Sequence, residues 1–276
     1  MMEISDQEFA QLRDLIHQRF GINLTDQKRS LLVGRLQKLM RLLNLTSFSQ
    51  YQDYLTEDAS EKGLSELVDL ISTNHTYFNR EKEHFEYFST TALPAIIEQQ
   101  QRLNRKELRI WCAGCSTGEE PYTLLMLMME HLGNAYSSWD AGILATDISD
   151  RALSIAKQGV YANDRVMQLP DKLQRNYFTP TGNGEMAVCD KIKREATFRR
   201  FNLMNTTFPF KKRFHMIFCR NVMIYFDQPT REALVARYHQ HTEPGGYLFI
   251  GHSETLGRSQ SLYNYLSPAL YQKGAL

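Results

Sequence analysis

The sequence lacks any long apolar run. No stretch approaches the roughly 20 residues a membrane-spanning helix needs, and residues 1–9 are polar and acidic rather than signal-like. A soluble, cytoplasmic protein without direct membrane insertion is expected. Cysteine is scarce: four residues, at 112, 115, 189 and 219, are too few and too irregularly spaced for a disulfide framework, so reduced thiols are expected. An excess of one charge is also missing. With 32 Lys and Arg against 31 Asp and Glu the net charge is +1, and only the distribution of charge can point to a partner. No internal repeat or low-complexity tract is present, which argues against solenoids and long linkers. What is present, 276 residues at 42% hydrophobic composition, suffices for one large cored domain or two smaller ones.

The chain is organised around residues 108–125, LRIWCAGCSTGEEPYTLL. Leu108, Ile110 and Trp111 read as a strand, the small residues Ala113, Gly114, Ser116, Thr117 and Gly118 as a tight turn, and the segment from Glu119 onward as a helix. Such a turn lets a ligand approach the backbone at a helix N-terminus. A phosphate-binding loop needs a lysine after its last glycine, and none follows Gly118. A dinucleotide fingerprint needs a third glycine and a strand-end acid about 20 residues on. Here Asp147 follows Gly118 by 29 residues. Glu119 and Glu120 would repel pyrophosphate but suit a cation. A phosphate-free adenosyl ligand bearing a sulfonium and an ammonium, S-adenosylmethionine, fits, with Asp147 accepting from ribose hydroxyls.

Before this stretch the pattern is helical. Phe9, Leu12, Ile16 and Phe20 recur at helical spacing until Gly21. A second helix is expected from an N-cap at Thr25, with Leu31, Leu32, Leu36, Leu39 and Leu43 on its apolar face and Lys28, Arg29, Arg35, Lys38 and Arg41 on the other. That basic face is either simply solvated or docks on an acidic surface, a protein helix or a nucleic-acid backbone. No aromatic interleaves the bases, which weakens single-strand stacking and favours a protein partner. Short helices are expected near 47–55 and 63–71. The junction STNHTYFNREKEHFEYF then sets Asn74, Thr76 and Arg80 beside Tyr77 and Phe78, as a capped boundary or as a cleft wall.

After it, strands are expected at 141–146 (ending in Asp147), 214–219 and 246–250, with an edge strand at 270–273 and helices at 150–158 and 228–241. This is α/β alternation around a mostly parallel sheet whose ligand crevice lies at the carboxyl strand ends. Between 177 and 203 the alternation lapses, and segments 187–191 and 196–201 are expected to form an inserted antiparallel hairpin.

The motifs TNHTYFNRE, WCAGCSTGEEPYTL, ATDIS, FNL, IFCRNVMIYFD and GYLFIGHSE, in this order, closely resemble the chemotaxis receptor glutamate methyltransferases, the CheR family, over almost the whole chain. The resemblance implies an all-α N-terminal domain (1–82) with a basic receptor-docking helix. It also implies a Rossmann-like class I methyltransferase domain (83–276) with a small antiparallel β-subdomain at about 177–201. Cofactor contacts are implied at Asn74, Thr76, Arg80, Glu119 or Glu120, Asp147, Asn202, Leu203, Arg220 and Asn221, with Tyr225 and Arg80 at the reacting centre. The implied partner is the cytoplasmic domain of methyl-accepting chemotaxis receptors, acted on by a monomer with no nucleic-acid partner. The turn TPTGNGEM is shorter than in members that grip a receptor tail, which leaves tail tethering open.

Competing readings are weaker. Cys112-Ala-Gly-Cys115 matches a redox pair but lies inside the cofactor turn, and no second cysteine pair has zinc spacing, so no metal is expected. His252 and Ser253 lack a nucleophile elbow and read as packing or cleft lining. Met126, Met128 and Met129 read as core. A nucleic-acid methyltransferase would use the basic helix for phosphates, but RNVMIYF is not an amino-methylating motif. A non-catalytic receptor-binding module would show a decayed site, and every polar position of the pattern is filled.

Overall fold

The computed structural model describes residues 4–57, 62–257 and 262–275. Four helices open the chain: α1 (Asp6–Phe20), α2 (Arg29–Leu42), α3 (Phe48–Glu57) and α4 (Lys62–Ile71). Ser5 and Glu8 cap α1 reciprocally, and Gly21 ends it at φ 69°. The four helices share a core built on Leu12, Ile16, Leu36, Met40, Tyr51 and Leu67. Thr25 does not cap α2 as expected: its side chain makes no cap bond, and a short 3₁₀ turn (Asp26–Lys28) comes first. Leu31 is 55% exposed. The buried row of α2 is Leu32, Leu36 and Met40 instead, because Leu31 lies one residue off the i, i+4, i+8 line that faces the core.

The second half begins with α5 (Lys82–Tyr87), a π turn, and α6 (Leu93–Arg102), and then winds around a seven-stranded sheet. Its strands in sequence are β1 (Glu107–Ala113), β2 (Asp140–Asp147), β6 (Ala196–Arg200), β7 (Phe214–Cys219), β8 (Thr242–Ile250), β9 (Asn264–Ser267) and β10 (Leu270–Gln272). The spatial order is β6-β2-β1-β7-β8-β10-β9, parallel from β6 to β8 and antiparallel beyond. Helices α7 (Glu119–Leu132) and α8 (Asp150–Gln158), with α6, pack one face, and α12 (Gln228–His241) packs the other. The fully buried pattern of β7 is what a strand covered on both faces requires. Strand order reverses at β1, so a crevice opens at the carboxyl ends of β1 and β7.

Two expectations about strands are corrected. Residues 196–201 do not form a hairpin with 187–191: β6 pairs in parallel with β2 at the sheet edge. Its half-exposed pattern comes from that edge position, since only Phe198 is buried. The small antiparallel sheet starts earlier, pairing β5 (Glu185–Val188) with β3 (Val160–Ala162) and β4 (Phe178–Pro180). Around it lie α9 (Asn163–Val166), α10 (Asp171–Tyr177) and α11 (Asp190–Lys193). Nor is 270–273 the edge, because β9 covers β10 on its outer side. The exposed residues of β9 carry no apolar alternation to reveal it.

One buried group ties the sheet to pH. His215 on β7 is 1% exposed, and its Nδ1 accepts the Arg109 backbone N–H at 3.0 Å. Burial, helped by Arg109, pushes its pKa down to about 4. Stability from neutral His215 is therefore complete above the unfolded value near 6.5 and is lost as pH falls toward 4, amounting to about 3 kcal/mol at full extent. Denaturant unfolding at pH 7.5 and 5 should show a loss in the native chain that shrinks in His215→Gln. Equal pH slopes for the two proteins would refute this origin.

Candidate functional site

A cleft lies at the carboxyl ends of β1, β2, β6 and β7, closed on one side by the junction segment 72–80 and by Phe20, Ile22 and Ile71 of the helical region. Its wall contains Asn74, Thr76, Arg80, Glu120, Asp147, Asn202, Leu203, Arg220, Asn221 and Tyr225. Every residue expected at the cofactor or the reacting centre is thus brought together except Glu119, while none of the basic set Lys28, Arg29, Arg35, Lys38 and Arg41 lines the cleft. That side chain is fully buried, faces away from the cleft, and pairs with Arg165 while accepting from Thr117 Oγ1 at 2.7 Å. Successive residues on a helix point about 100° apart, so of the two acids only Glu120 reaches the wall.

The turn after β1 is held open by backbone geometry. Gly114 has φ 105°, and a Cβ there would stand 2.3 Å from Val222 Cγ2. Gly118 at φ 96° caps α7 with no room for a side chain between Ala156 and Tyr161. Asp147, at the end of β2, accepts the Ser116 N–H at 2.8 Å on Oδ2 and the Ser149 N–H at 3.0 Å on Oδ1. Burial pushes its carboxyl up, against the pull of these N–H groups. Ser116 in turn donates to the Asn74 carbonyl, and Asn74 Nδ2 donates to Ser149 Oγ, so the junction segment is laced to the β1 and β2 ends.

Arg220 is the charge centre. It is 7% exposed, and its guanidinium donates to Glu81 Oε2 (3.1 Å), to Glu120 Oε2 (3.0 Å) and to the Arg80 carbonyl. Burial alone would raise Glu81, but Arg220, Asn221 Nδ2 and the His252 N–H bring it below the usual range. Glu120 has one of those partners and is pushed up by burial. Two carboxylates, those of Glu81 and Glu120, share the Arg220 guanidinium, and the cleft wall sets Glu120 and Asp147 beside Arg220 and Arg80. Among the described residues Glu81, His84 and His252 bring ligand-type atoms within 4.8 Å of one another. The Glu81 oxygens are already taken by Arg220, Asn221 and His252, so this cluster is an ion-pair network first.

At the mouth, Arg80 donates to the His75 carbonyl at 2.7 Å. Tyr225 is half-buried, with Lys28 Nζ 5.4 Å above its ring and its carbonyl accepting from Asn23 N–H at 2.7 Å. Asn202 donates to the Arg19 carbonyl. The basic set on α2 divides: Arg29 binds Asp6 and the Ile4 carbonyl, Arg35 binds the Leu70 carbonyl, and Lys38 and Arg41 are exposed. Sequence reasoning missed Glu81 and Glu254, although both stand inside quoted motifs; their signal was a fixed acid beside an arginine or a turn.

The family profile described as "CheR methyltransferase, all-alpha domain" matches residues 7–72, and "CheR methyltransferase, SAM binding domain" matches residues 74–270. The chain is 39% identical to a chemotaxis protein methyltransferase of Borreliella burgdorferi, over 99% of this chain and 96% of that protein. It is 35% identical to chemotaxis protein methyltransferase 2 of Pseudomonas aeruginosa (96% and 92%) and 33% identical to the Escherichia coli chemotaxis protein methyltransferase (98% and 92%).

The cysteines of the turn can be tested directly. Burial pushes the Cys112, Cys115 and Cys219 thiols well up, so none offers a ready thiolate. In native protein a thiol-specific disulfide reagent should react fast only at Cys189, which is half-buried, and Cys189→Ser should remove that phase. A Cys112–Cys115 disulfide forming under mild oxidation would restore the redox reading.

Proposed function

The chain belongs to the CheR family of S-adenosylmethionine-dependent chemotaxis methyltransferases, and from that premise we propose that it esterifies glutamate side chains on the cytoplasmic domain of methyl-accepting chemotaxis receptors. The observation that carries this reading is the cleft itself: carboxylates at Glu120 and Asp147, no lysine at the turn, and a half-buried tyrosine and an arginine at the mouth. The donor set fits the cofactor, whose cationic sulfonium would supply an electrophilic methyl carbon. Asp147 would take the ribose hydroxyls, and Glu120, with Asn74, Thr76, Arg220 and Asn221, would orient the amino-acid end. Asn202 and Leu203 would face the adenine side.

A glutamate carboxylate, with an ordinary pKa of about 4.3, is already the nucleophile at neutral pH and needs no general base. What the protein supplies is alignment of oxygen, carbon and sulfur in a cleft poor in water, the entropic part of catalysis. Tyr225 would orient the incoming carboxylate through its hydroxyl, and Arg80 would offset its charge. Residues 1–82 form the docking unit in this reading and 83–276 the catalytic unit. Lys38 and Arg41, exposed near Leu42, are the part of the basic helix left for a carboxylate-rich receptor helix. The protein would act in the cytoplasm as a monomer, without a nucleic-acid substrate; no described helix is long and apolar enough to cross a membrane.

Transfer of labelled methyl groups to receptor cytoplasmic domains tests the reading, with base-labile label expected and base-stable label, or label on nucleic acid, refuting it. Tyr225→Phe should lower turnover about tenfold or more with little change in S-adenosylhomocysteine affinity. Unchanged turnover would remove Tyr225 from the mechanism. Asp147→Ala should weaken S-adenosylhomocysteine about tenfold or more by titration calorimetry, the loss of a charged hydrogen-bond pair. Charge reversal at Lys38 and Arg41 should raise KM for the receptor and leave cofactor affinity alone; an unmoved receptor KM would place docking elsewhere.

A further inference from the structure

The segment after β7 carries Asn221 and Tyr225 on a backbone that needs holding. Asn221 sits at φ 58°, in the left-handed region that an asparagine holds only with local hydrogen bonds to fix it. A side chain from a different loop restrains its backbone, beside the Glu81 carboxylate that accepts from Asn221 Nδ2 at 3.1 Å. Glu254, just past β8, is 7% exposed, and its carboxylate accepts the Asn221 N–H at 3.0 Å on Oε2 and the Ile224 N–H at 3.0 Å on Oε1. Oε2 also accepts the Gly251 N–H, and the Glu254 N–H returns to the Gly251 carbonyl at 2.9 Å, so the clamp is itself fixed in a tight turn. Gly251 has to be glycine for the two loops to meet: a Cβ there would stand 2.4 Å from Asn221 Nδ2 and 2.7 Å from its backbone N.

We infer that Glu254 is a positioning residue for methyl transfer, its carboxylate spanning the backbone from Asn221 to Ile224 and so setting where Asn221 and Tyr225 meet the cleft. Glu254 does not line the cleft and its carboxylate is turned to three backbone donors, so it acts through the loop and not on the reacting atoms. The geometry also separates it from a generic core acid. One of the N–H groups it bridges, that of Asn221, lies two residues before the 3₁₀ turn Met223–Tyr225 and the other, that of Ile224, lies inside it, next to Tyr225. Loss of one grip frees the turn to rotate without touching the sheet. A displacement of about 1 Å at an aligned group can cost about a hundredfold in rate.

This rests on the assignment of Asn221 and Tyr225 to the site, and the experiment keeps the two apart. Turnover at saturating cofactor is measured for Glu254→Gln, Tyr225→Phe and the double variant, alongside S-adenosylhomocysteine affinity for Glu254→Gln, Asn221→Ala and their double. If Glu254 acts through the loop, Glu254→Gln lowers turnover tenfold or more, and adding it to Tyr225→Phe lowers turnover by less than about threefold further, because residues acting as a unit are non-additive. Losses that multiply would make Glu254 merely structural and overturn the inference. Should Tyr225→Phe alone leave turnover intact, the tyrosine assignment fails by itself. Glu254 is then judged on affinity, where the double with Asn221→Ala must be no weaker than the single. Glu254→Asp, which keeps the charge and shortens the reach, replaces the Gln variant if that one does not fold, and wild-type turnover in it overturns the inference equally.

Discussion

The buried guanidinium of Arg220 is the interaction on which the rest of the cleft depends. A cation this deep is tolerated only with opposite charge and directed acceptors around it, and it has Glu81, Glu120 and the Arg80 carbonyl. These partners come from two distant parts of the chain: Arg80 and Glu81 from the junction after the helical region, and Glu120 from the start of α7. Arg220 itself ends β7. The arginine therefore fixes the relative position of the junction, the glycine turn and the β7 loop in one step. It also explains a strained detail, since Glu81 sits at φ 54°, a conformation that four accepted hydrogen bonds can hold.

That constraint has an electrostatic consequence. Removing either acid would leave the guanidinium underpaired, and removing the guanidinium would leave two carboxylates facing each other. With the set complete, the cleft wall carries Glu120 and Asp147 against Arg220 and Arg80, and the Asp147 oxygens are steered by the Ser116 and Ser149 N–H groups.

How far the sequence could be read follows from where each signal was strong. The glycine turn, α8, β7 and α12 were legible because periodicity, caps and full burial agreed there. β6 was misread because a parallel strand at an edge is covered on one side and alternates like a hairpin, and β9 was invisible because an exposed outer strand has no apolar period to show. Within the site, Glu119 and Glu120 are neighbours in sequence with opposite fates, and only the rotation of α7 decides which one faces the ligand. Arg29 and Arg35 looked like the rest of a basic face, yet long side chains reach back to backbone carbonyls when a neighbouring helix end offers them. Glu81 and Glu254 were missed for a common reason: each acts on backbone or on Arg220 across more than 30 residues, and no local pattern reports a partner that distant.

The helical region also contributes directly to the cleft. The end of α1 and the α1–α2 loop are stitched to the segment that holds Tyr225: Asn23 donates to the Tyr225 carbonyl, Ile22 bridges Phe226, and His17 in the last turn of α1 meets Asp227 at 2.8 Å. Asp227 is also the N-cap of α12, accepting the Thr230 N–H at 2.9 Å. Tyr225 is therefore held from three sides, by the helical region at its carbonyl, by Glu254 through Ile224, and by the α12 cap two residues on. A receptor helix resting on α2 would lie on the same rigid unit that carries one of these restraints, with Lys28 above the tyrosine ring at the seam. The helical region is a fixed wall of the cleft, and the second half expressed without it would lose Phe20 and Ile22 from that wall and the Asn23 tie to the Tyr225 loop.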